Sequence, residues 1–155
     1  MILGIDEVGR GPWAGPLVVG AVILGGAEID GLDDSKKLTK KRRELLGVEI
    51  REQAAAWVLG WVSAGELDEV GMSEALRLAT RRAVTQIQAQ CREKKLAFDE
   101  IIIDGTVNFL ADTALEQYVT GMRRPKTVSR MAQSPSPCIA LRKPWKTLGA
   151  FSIIV

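Results

Sequence analysis

At 155 residues the chain is long enough for one domain with a hydrophobic core and too short to predict two. Its 46% hydrophobic and 26% charged residues, with no apolar run near the roughly 20 residues of a membrane span and no cleavable basic leader, predict a cytoplasmic protein without membrane contact. Histidine is absent, which excludes Ser-His and Cys-His catalysis and His-based zinc sites. For a hydrolase, water activated by a carboxylate-bound metal is the main route left.

Four segments have the apolar, β-branched composition of strands, and most are bounded by glycine or proline. They cover residues 2–6, 17–24, 54–62 and 100–104. The first and last of them end in carboxylates.

The first predicted helix follows a polar loop. Thr39 is placed to cap it, and it runs to about Gln53. Helical spacing predicts that Leu45, Leu46 and Ile50 face inward.

Three more helices are predicted. Ser63 and Glu66 have the spacing of a capping box that opens a short helix. Apolar residues at helical spacing predict longer helices over 73–94 and 110–118. The resulting order, β-β-α-β-α-α-β-α, predicts an α/β fold whose sheet mixes antiparallel and parallel strands.

Acidic side chains end two of the predicted strands. Asp6 and Glu7 close the first strand and Asp104 closes the last, where open α/β sheets bind ligands. Carboxylate oxygens suit Mg²⁺ and Mn²⁺, so the three acids are candidate metal ligands. Asp6 and Glu7 can share a site only if the chain leaves the strand between them, since strand neighbours point to opposite faces. The alternative is that these acids are ordinary turn formers.

Two further segments suit a polyanion. The Gly9-Arg10-Gly11 turn offers backbone amides and a guanidinium to a phosphate or a sugar hydroxyl. The basic run over 34–43 contains Ser35 and Lys36 and continues into the first helix, where phosphate contacts would use it. The alternatives are an ordinary glycine turn and a solvated charged face.

Taken together, these residues resemble the type 2 ribonuclease H family, also called ribonuclease HII. The resemblance covers residues 2 to about 120. It rests on GIDEVGRGPWAGPLVVGAV (4–22), LDDSKKLTKKRRELL (32–46), GELDEVGMSEALRLATRRAV (65–84) and IIIDG (101–105).

The resemblance implies a ribonuclease H-like fold, with a mixed central sheet flanked by helices, and endonucleolytic cleavage of RNA in RNA–DNA hybrids or of ribonucleotides embedded in duplex DNA. Asp6, Glu7 and Asp104 would be catalytic ligands of Mn²⁺ or Mg²⁺. Gly9, Arg10 and Gly11 would read the 2′-hydroxyl that distinguishes RNA from DNA. Ser35 and Lys36 would lie near the backbone phosphate. We expect the protein to act as a monomer.

The C-terminal part departs from the family pattern. All 19 acidic residues precede residue 117, whereas 121–155 hold seven of the 21 basic residues and four of the six prolines. Relatives carry a fourth catalytic aspartate downstream. Here the only acids after Asp104 are Asp112 and Glu116, which lie too early to replace it. We therefore expect a catalytic domain over 1–120, an atypical tail over 121–155 that is frameshifted or disordered, and impaired activity.

Two rival functions stay open. A non-catalytic binder of RNA–DNA hybrids would keep the reading turn and the basic face. An actin-like ATPase would use the strand and glycine turn at 2–11 as its phosphate loop, although the short chain and the Asp34–Thr39 loop argue against it.

Overall fold

The computed structural model describes residues 1–8, 16–33, 37–104 and 107–122. These residues form a five-stranded sheet with one helix packed on each face. The elements are β1 (Ile2–Val8), β2 (Leu17–Ile23), α1 (Lys40–Gln53), β3 (Ala56–Val62), α2 (Ala64–Glu93), β4 (Glu100–Ile103) and β5 (Val119–Met122). Neither of the described helices combines the length and apolar character that a membrane crossing requires.

The sheet has the strand order β3-β2-β1-β4-β5. β1 pairs with β2, and β2 with β3, in antiparallel fashion. β1 pairs with β4, and β4 with β5, in parallel fashion. The predicted α/β class with a mixed sheet is confirmed, and β1 lies at its centre with one partner of each kind.

The larger core lies between the sheet and α2. Alternate residues of β1, such as Leu3 and Ile5, face it, as the two-residue period of a strand requires. Gly60 of β3 allows close packing there, because a Cβ atom at that position would lie 2.1 Å from the carbonyl oxygen of Ala79 in α2. α2 therefore sits with its backbone directly against β3.

The smaller core lies under α1. The Thr39 hydroxyl accepts a hydrogen bond from the Arg42 amide, so the predicted cap is confirmed, as is the end of α1 at Gln53. Leu46 and Ile50 are buried, but Leu45 is half exposed, so its predicted inward position is wrong. The buried stripe of α1 is narrow and runs through Gly47 instead.

α2 contains both of the helices predicted after β3. Ser63 and Glu66 form the predicted capping box at its start. The two predicted segments meet at Gly71, whose φ of 78° and ψ of 162° are not helical. Such angles are essentially restricted to glycine, which is why the chain can kink here and continue as one element.

The helix predicted over 110–118 is wrong. Turns occupy most of this segment, followed by a short 3₁₀ helix at Glu116–Tyr118. Asp112 takes a left-handed conformation with φ of 64°, which ends any helical run. β5 then begins at Val119 and continues to Met122, across the domain boundary expected near residue 120. The tail expected over 121–155 otherwise lies outside the described residues.

Candidate active site

β1 carries two adjacent acids inside the strand. Asp6 lies opposite Gly20 of β2, and Glu7 lies opposite Val19. The strand continues to Val8, so the chain does not leave it between the two acids. Because strand neighbours project to opposite faces, Asp6 and Glu7 approach the sheet edge from different sides.

Asp104 is brought beside Asp6 by the parallel pairing of β1 and β4. Ile5 is in register with Ile103, and the Asp104 amide donates a hydrogen bond of 2.9 Å to the Ile5 carbonyl. This bond extends the β1–β4 register by one residue beyond the end of β4. Asp104 therefore lies beside Asp6 on the neighbouring strand. Partners on neighbouring strands lie about 4.8 Å apart. The predicted meeting of the two acidic strand ends is therefore supported by the backbone geometry.

The Asp6 carboxylate is largely shielded from solvent. Asp6 is 9% exposed, and its Oδ1 accepts a hydrogen bond of 2.8 Å from the Glu7 amide. Gly20, directly across the ladder, places no side chain beside it. A buried carboxylate is costly unless another group or an ion compensates its charge.

One oxygen of Asp104 has no such compensation. Its Oδ1 is buried and has no hydrogen-bond partner among the residues that the structure describes. Buried polar atoms without partners are rare in folded proteins, and many of those that occur lie where an ion or a water molecule binds. The pair of Asp6 and Asp104 thus fits an oxygen-coordinated divalent cation by its chemistry and by its unsatisfied oxygen.

Glu7 faces the α2 side of the sheet. It borders a small pocket whose other walls are mostly apolar side chains from the strands, α2 and the turn after β4. The pocket is lined by Ile5, Asp6, Glu7, Val19, Leu76, Thr80, Ile103 and Phe109. The Thr80 hydroxyl donates to the Leu76 carbonyl at 2.8 Å. Helical spacing in the sequence predicts a core position for Leu76. Thr80 lies within the family-like segment 65–84 but has no predicted role, and no motif marks Phe109.

The three acids do not converge into one ligand cluster. Within residues 1–8, 16–33, 37–104 and 107–122, no group of three Asp, Glu or Cys side chains is arranged to hold a metal ion. Asp112 and Glu116 do not supply a third ligand either. Both lie outside the buried core, and the Asp112 amide donates to Glu116 Oε2 at 3.3 Å.

The predicted nucleic-acid contacts fall outside the described residues. This holds for Gly9, Arg10 and Gly11, which follow β1, and for Ser35 and Lys36. The residues that bound the second segment are tied together, since Lys37 Nζ lies 3.2 Å from Asp33 Oδ1. The roles of these five residues stay predictions.

Comparison with known proteins identifies the family. The family model described as Ribonuclease HII matches residues 3–142. The chain belongs to the ribonuclease HII family. The match extends beyond residue 120, where the resemblance read from the sequence ends.

Three curated relatives are named Ribonuclease HII. The chain is 48% identical to the protein of Acinetobacter baylyi over 106 residues, which are 68% of this chain and 52% of the relative. It is 51% identical to that of Hyphomonas neptunium over 85 residues, 54% of this chain and 41% of the relative. It is 45% identical to that of Aliivibrio salmonicida over 106 residues, which are 68% of this chain and 48% of the relative. The chain spans about half the length of these ribonuclease HII relatives.

Solved structures confirm the ribonuclease H-like fold. Ribonuclease H2 from Pyrococcus horikoshii matches 99% of this chain and 69% of its own, at a TM-score of 0.63 and 23% identity. Ribonuclease HII of Archaeoglobus fulgidus, solved in complex with PCNA, matches 99% of this chain over 70% of its own length. Its TM-score is 0.64 and its sequence identity is 24%. A mutant Bst-RNase HIII matches 99% of this chain over 49% of its own length, at a TM-score of 0.68 and 19% sequence identity. At these identities the likeness concerns the fold alone.

Proposed function

We propose that this chain is an endonuclease of the ribonuclease HII kind, which hydrolyses RNA–DNA hybrids and duplex DNA containing ribonucleotides with the help of Mn²⁺ or Mg²⁺. The observation that carries the proposal is the pairing of Asp6 with Asp104 at the end of two central parallel strands, with one Asp104 oxygen buried and unpaired among the described residues. The family match favours a nuclease over the actin-like ATPase.

Asp6 and Asp104 would hold the cation between them, because they adjoin at the same sheet edge. Glu7 is the third proposed ligand, but it projects to the α2 side and does not join the other two acids in the structure. It would complete the ligand set only after a rearrangement at the end of β1, which lies one residue later, at Val8. A divalent cation bound here supplies Lewis acidity for attack of water on the phosphodiester and for departure of the 3′-oxygen.

The remaining assigned residues would hold the substrate. Gly9, Arg10 and Gly11 would contact the 2′-hydroxyl of the ribonucleotide, the group by which a protein tells RNA from DNA. Ser35 and Lys36 would contact the neighbouring phosphate, to which Lys36 contributes a positive charge. A cytoplasmic location and action as a monomer stay predictions.

A non-catalytic hybrid binder is the second candidate. It is favoured by the absence of a three-acid cluster among the described residues. With two carboxylates on one face and a third on the other, catalysis would be weaker than in a protein with four converging acids.

Cleavage and binding assays separate the two candidates. The chain is incubated with Mn²⁺ and a duplex holding a single ribonucleotide, with an all-DNA duplex as the substrate control. Cutting at the ribonucleotide that is lost in Asp6→Asn and Asp104→Asn, but kept in the more distant Asp112→Asn, supports the nuclease. Hybrid binding without cutting supports the binder, and neither binding nor cutting overturns both.

A further inference from the structure

β3 forms one edge of the described sheet, and its sequence makes that edge prone to pair with a further strand. The strand reads AWVLGWV, with no charge, no proline and high β-propensity, and among the described residues it has a sheet partner only on the β2 side. Segments of this composition add further strands readily when their outer N–H and C=O groups are exposed.

Side chains of α2 and its C-terminal cap occupy the outward carbonyls of this edge. Three of them reach over the strand and each donates one hydrogen bond to a main-chain oxygen. The bonds are Lys94 Nζ to Ala55 O at 2.7 Å, Gln90 Nε2 to Trp57 O at 3.2 Å and Arg82 Nη1 to Trp61 O at 2.6 Å. We call Arg82, Gln90 and Lys94 the edge ladder.

The spacing of the ladder explains how a helix can follow a strand. The donors lie on the row 82, 86, 90 and 94, and four helical residues rise about 6 Å. The acceptors lie at 55, 57 and 61, and two strand residues rise about 6.6 Å. The two repeats nearly match, so helix and strand run antiparallel with their polar groups in step.

One residue of the row 82, 86, 90 and 94, Gln86, does not donate to the strand. The pattern pairs Gln86 with Leu59, but the Gln86 side chain makes no hydrogen bond to the described residues. Gln86 and Leu59 instead line an open groove of about 570 Å³, which Arg51 and Glu52 at the end of α1 also border. The outward carbonyl of Leu59 is therefore the one along this edge that the ladder leaves without a donor.

We propose that the edge ladder closes β3 to strand addition by a second copy of this chain. Loss of the ladder exposes consecutive outward carbonyls along an apolar, β-prone strand, and two such edges pair across a twofold axis. This inference is independent of the nuclease activity.

The test removes two of the three donors. Gln90→Ala/Lys94→Ala leaves Arg82 and its ion pair with Glu66 intact. The matched control is Gln88→Ala/Arg92→Ala, which removes similar polar and basic side chains from the same helix. In sedimentation experiments at rising protein concentration, the apparent molecular mass of the first variant should increase to twofold or more of the wild-type value. The control should keep the wild-type mass.

Two further variants keep the test decisive. Lys94→Ala alone changes an exposed position and serves as the test if the double variant fails to fold. It should self-associate, but less strongly than is expected of the double variant. Trp61→Lys in the double variant puts a charge on the half-exposed edge residue and should restore the wild-type mass. Unchanged mass in both ladder variants, or association that Trp61→Lys does not reduce, overturns the proposal.

Discussion

The amide of Asp104 donates a hydrogen bond to the carbonyl of Ile5 over 2.9 Å. This contact continues the β1–β4 ladder by one residue beyond Ile103 and carries Asp104 to the side of Asp6. The proposed nuclease centre therefore depends on main-chain pairing between two parallel strands. Its position is fixed by the backbone, before any ion contributes.

Asp104→Asn should abolish cleavage and raise thermal stability. The buried Oδ1 of Asp104 has no partner in the described part of the chain, so replacing a carboxylate by a neutral amide lowers the cost of its burial. A gain of about 1 kcal/mol corresponds to roughly 2–4 °C in a domain of this size. Thermal unfolding without metal measures it. Asp112→Asn is the control outside the acid pair, and a lower melting temperature for Asp104→Asn would contradict this assignment.

Mn²⁺ should stabilise the folded chain. A cation bound at 100 times its dissociation constant adds about 2.7 kcal/mol. The melting temperature should then rise by roughly 5–10 °C, and by much less in Asp6→Asn. Titration calorimetry checks the same binding without any substrate. Equal shifts in wild type and Asp6→Asn would place the ion elsewhere.

Gly60→Ala should destabilise the fold strongly. The new Cβ would lie 2.1 Å from the Ala79 carbonyl oxygen and 2.8 Å from the Ala83 nitrogen, which are backbone atoms of α2 and cannot rotate away. Such overpacking costs about 3 kcal/mol. Chemical denaturation measures the loss. The control is Gly65→Ala in the first turn of α2, where nothing lies within 4 Å of the new Cβ atom, and stability should be equal or higher by up to about 1 kcal/mol.

Glu66→Gln should destabilise the protein at neutral pH but much less in acid. Hydrogen bonds from Arg82 and then from Ser63 lower the pKa of Glu66 from 4.5 to about 2. A carboxylate whose pKa is lowered by folding contributes stability above its unfolded pKa and loses it as pH falls through the folded value. The difference in melting temperature between wild type and variant should be constant above about pH 5 and shrink toward pH 2. Glu69→Gln, exposed on the same helix, is the control, and a pH-independent difference would refute the assignment.

Much of the fold could be predicted because its signals are local. The caps at Thr39 and at Ser63 depend on residues within one helical turn. The strands are marked by the composition of a few consecutive residues. Gly71 separates two helical patterns in the sequence and kinks one helix in the structure.

The errors arise where distant partners decide the outcome. β1 continues through Glu7 because Val18 and Val19 of β2 pair with its end, which no local signal reports. The apolar spacing over 110–118 is helical, yet the left-handed Asp112 and the pairing of Val119 with Ile101 favour turns and a strand. Periodicity alone places Leu45 inward, although the buried stripe of α1 is narrower than that pattern implies.

The sequence indicates the acids of the candidate site, whose roles stay predictions, but it does not indicate their geometry. Two strands ending in carboxylates indicate a shared edge, and the register that brings Asp104 beside Asp6 supports this. The separate face of Glu7 depends on where β1 ends. The pocket wall formed by Thr80 and Phe109 depends on how α2 and the turn after β4 pack, which the sequence does not express as a motif.

The parallel pairing of β1 with β4 has a consequence for how the molecule is made. β2 and β3 can join β1 soon after they are synthesised, since both precede β4 in the chain and need only antiparallel partners that are already present. Asp104 is translated about a hundred residues after Asp6. A nascent chain that has already folded its antiparallel half would therefore carry only one member of the acid pair until β4 is synthesised.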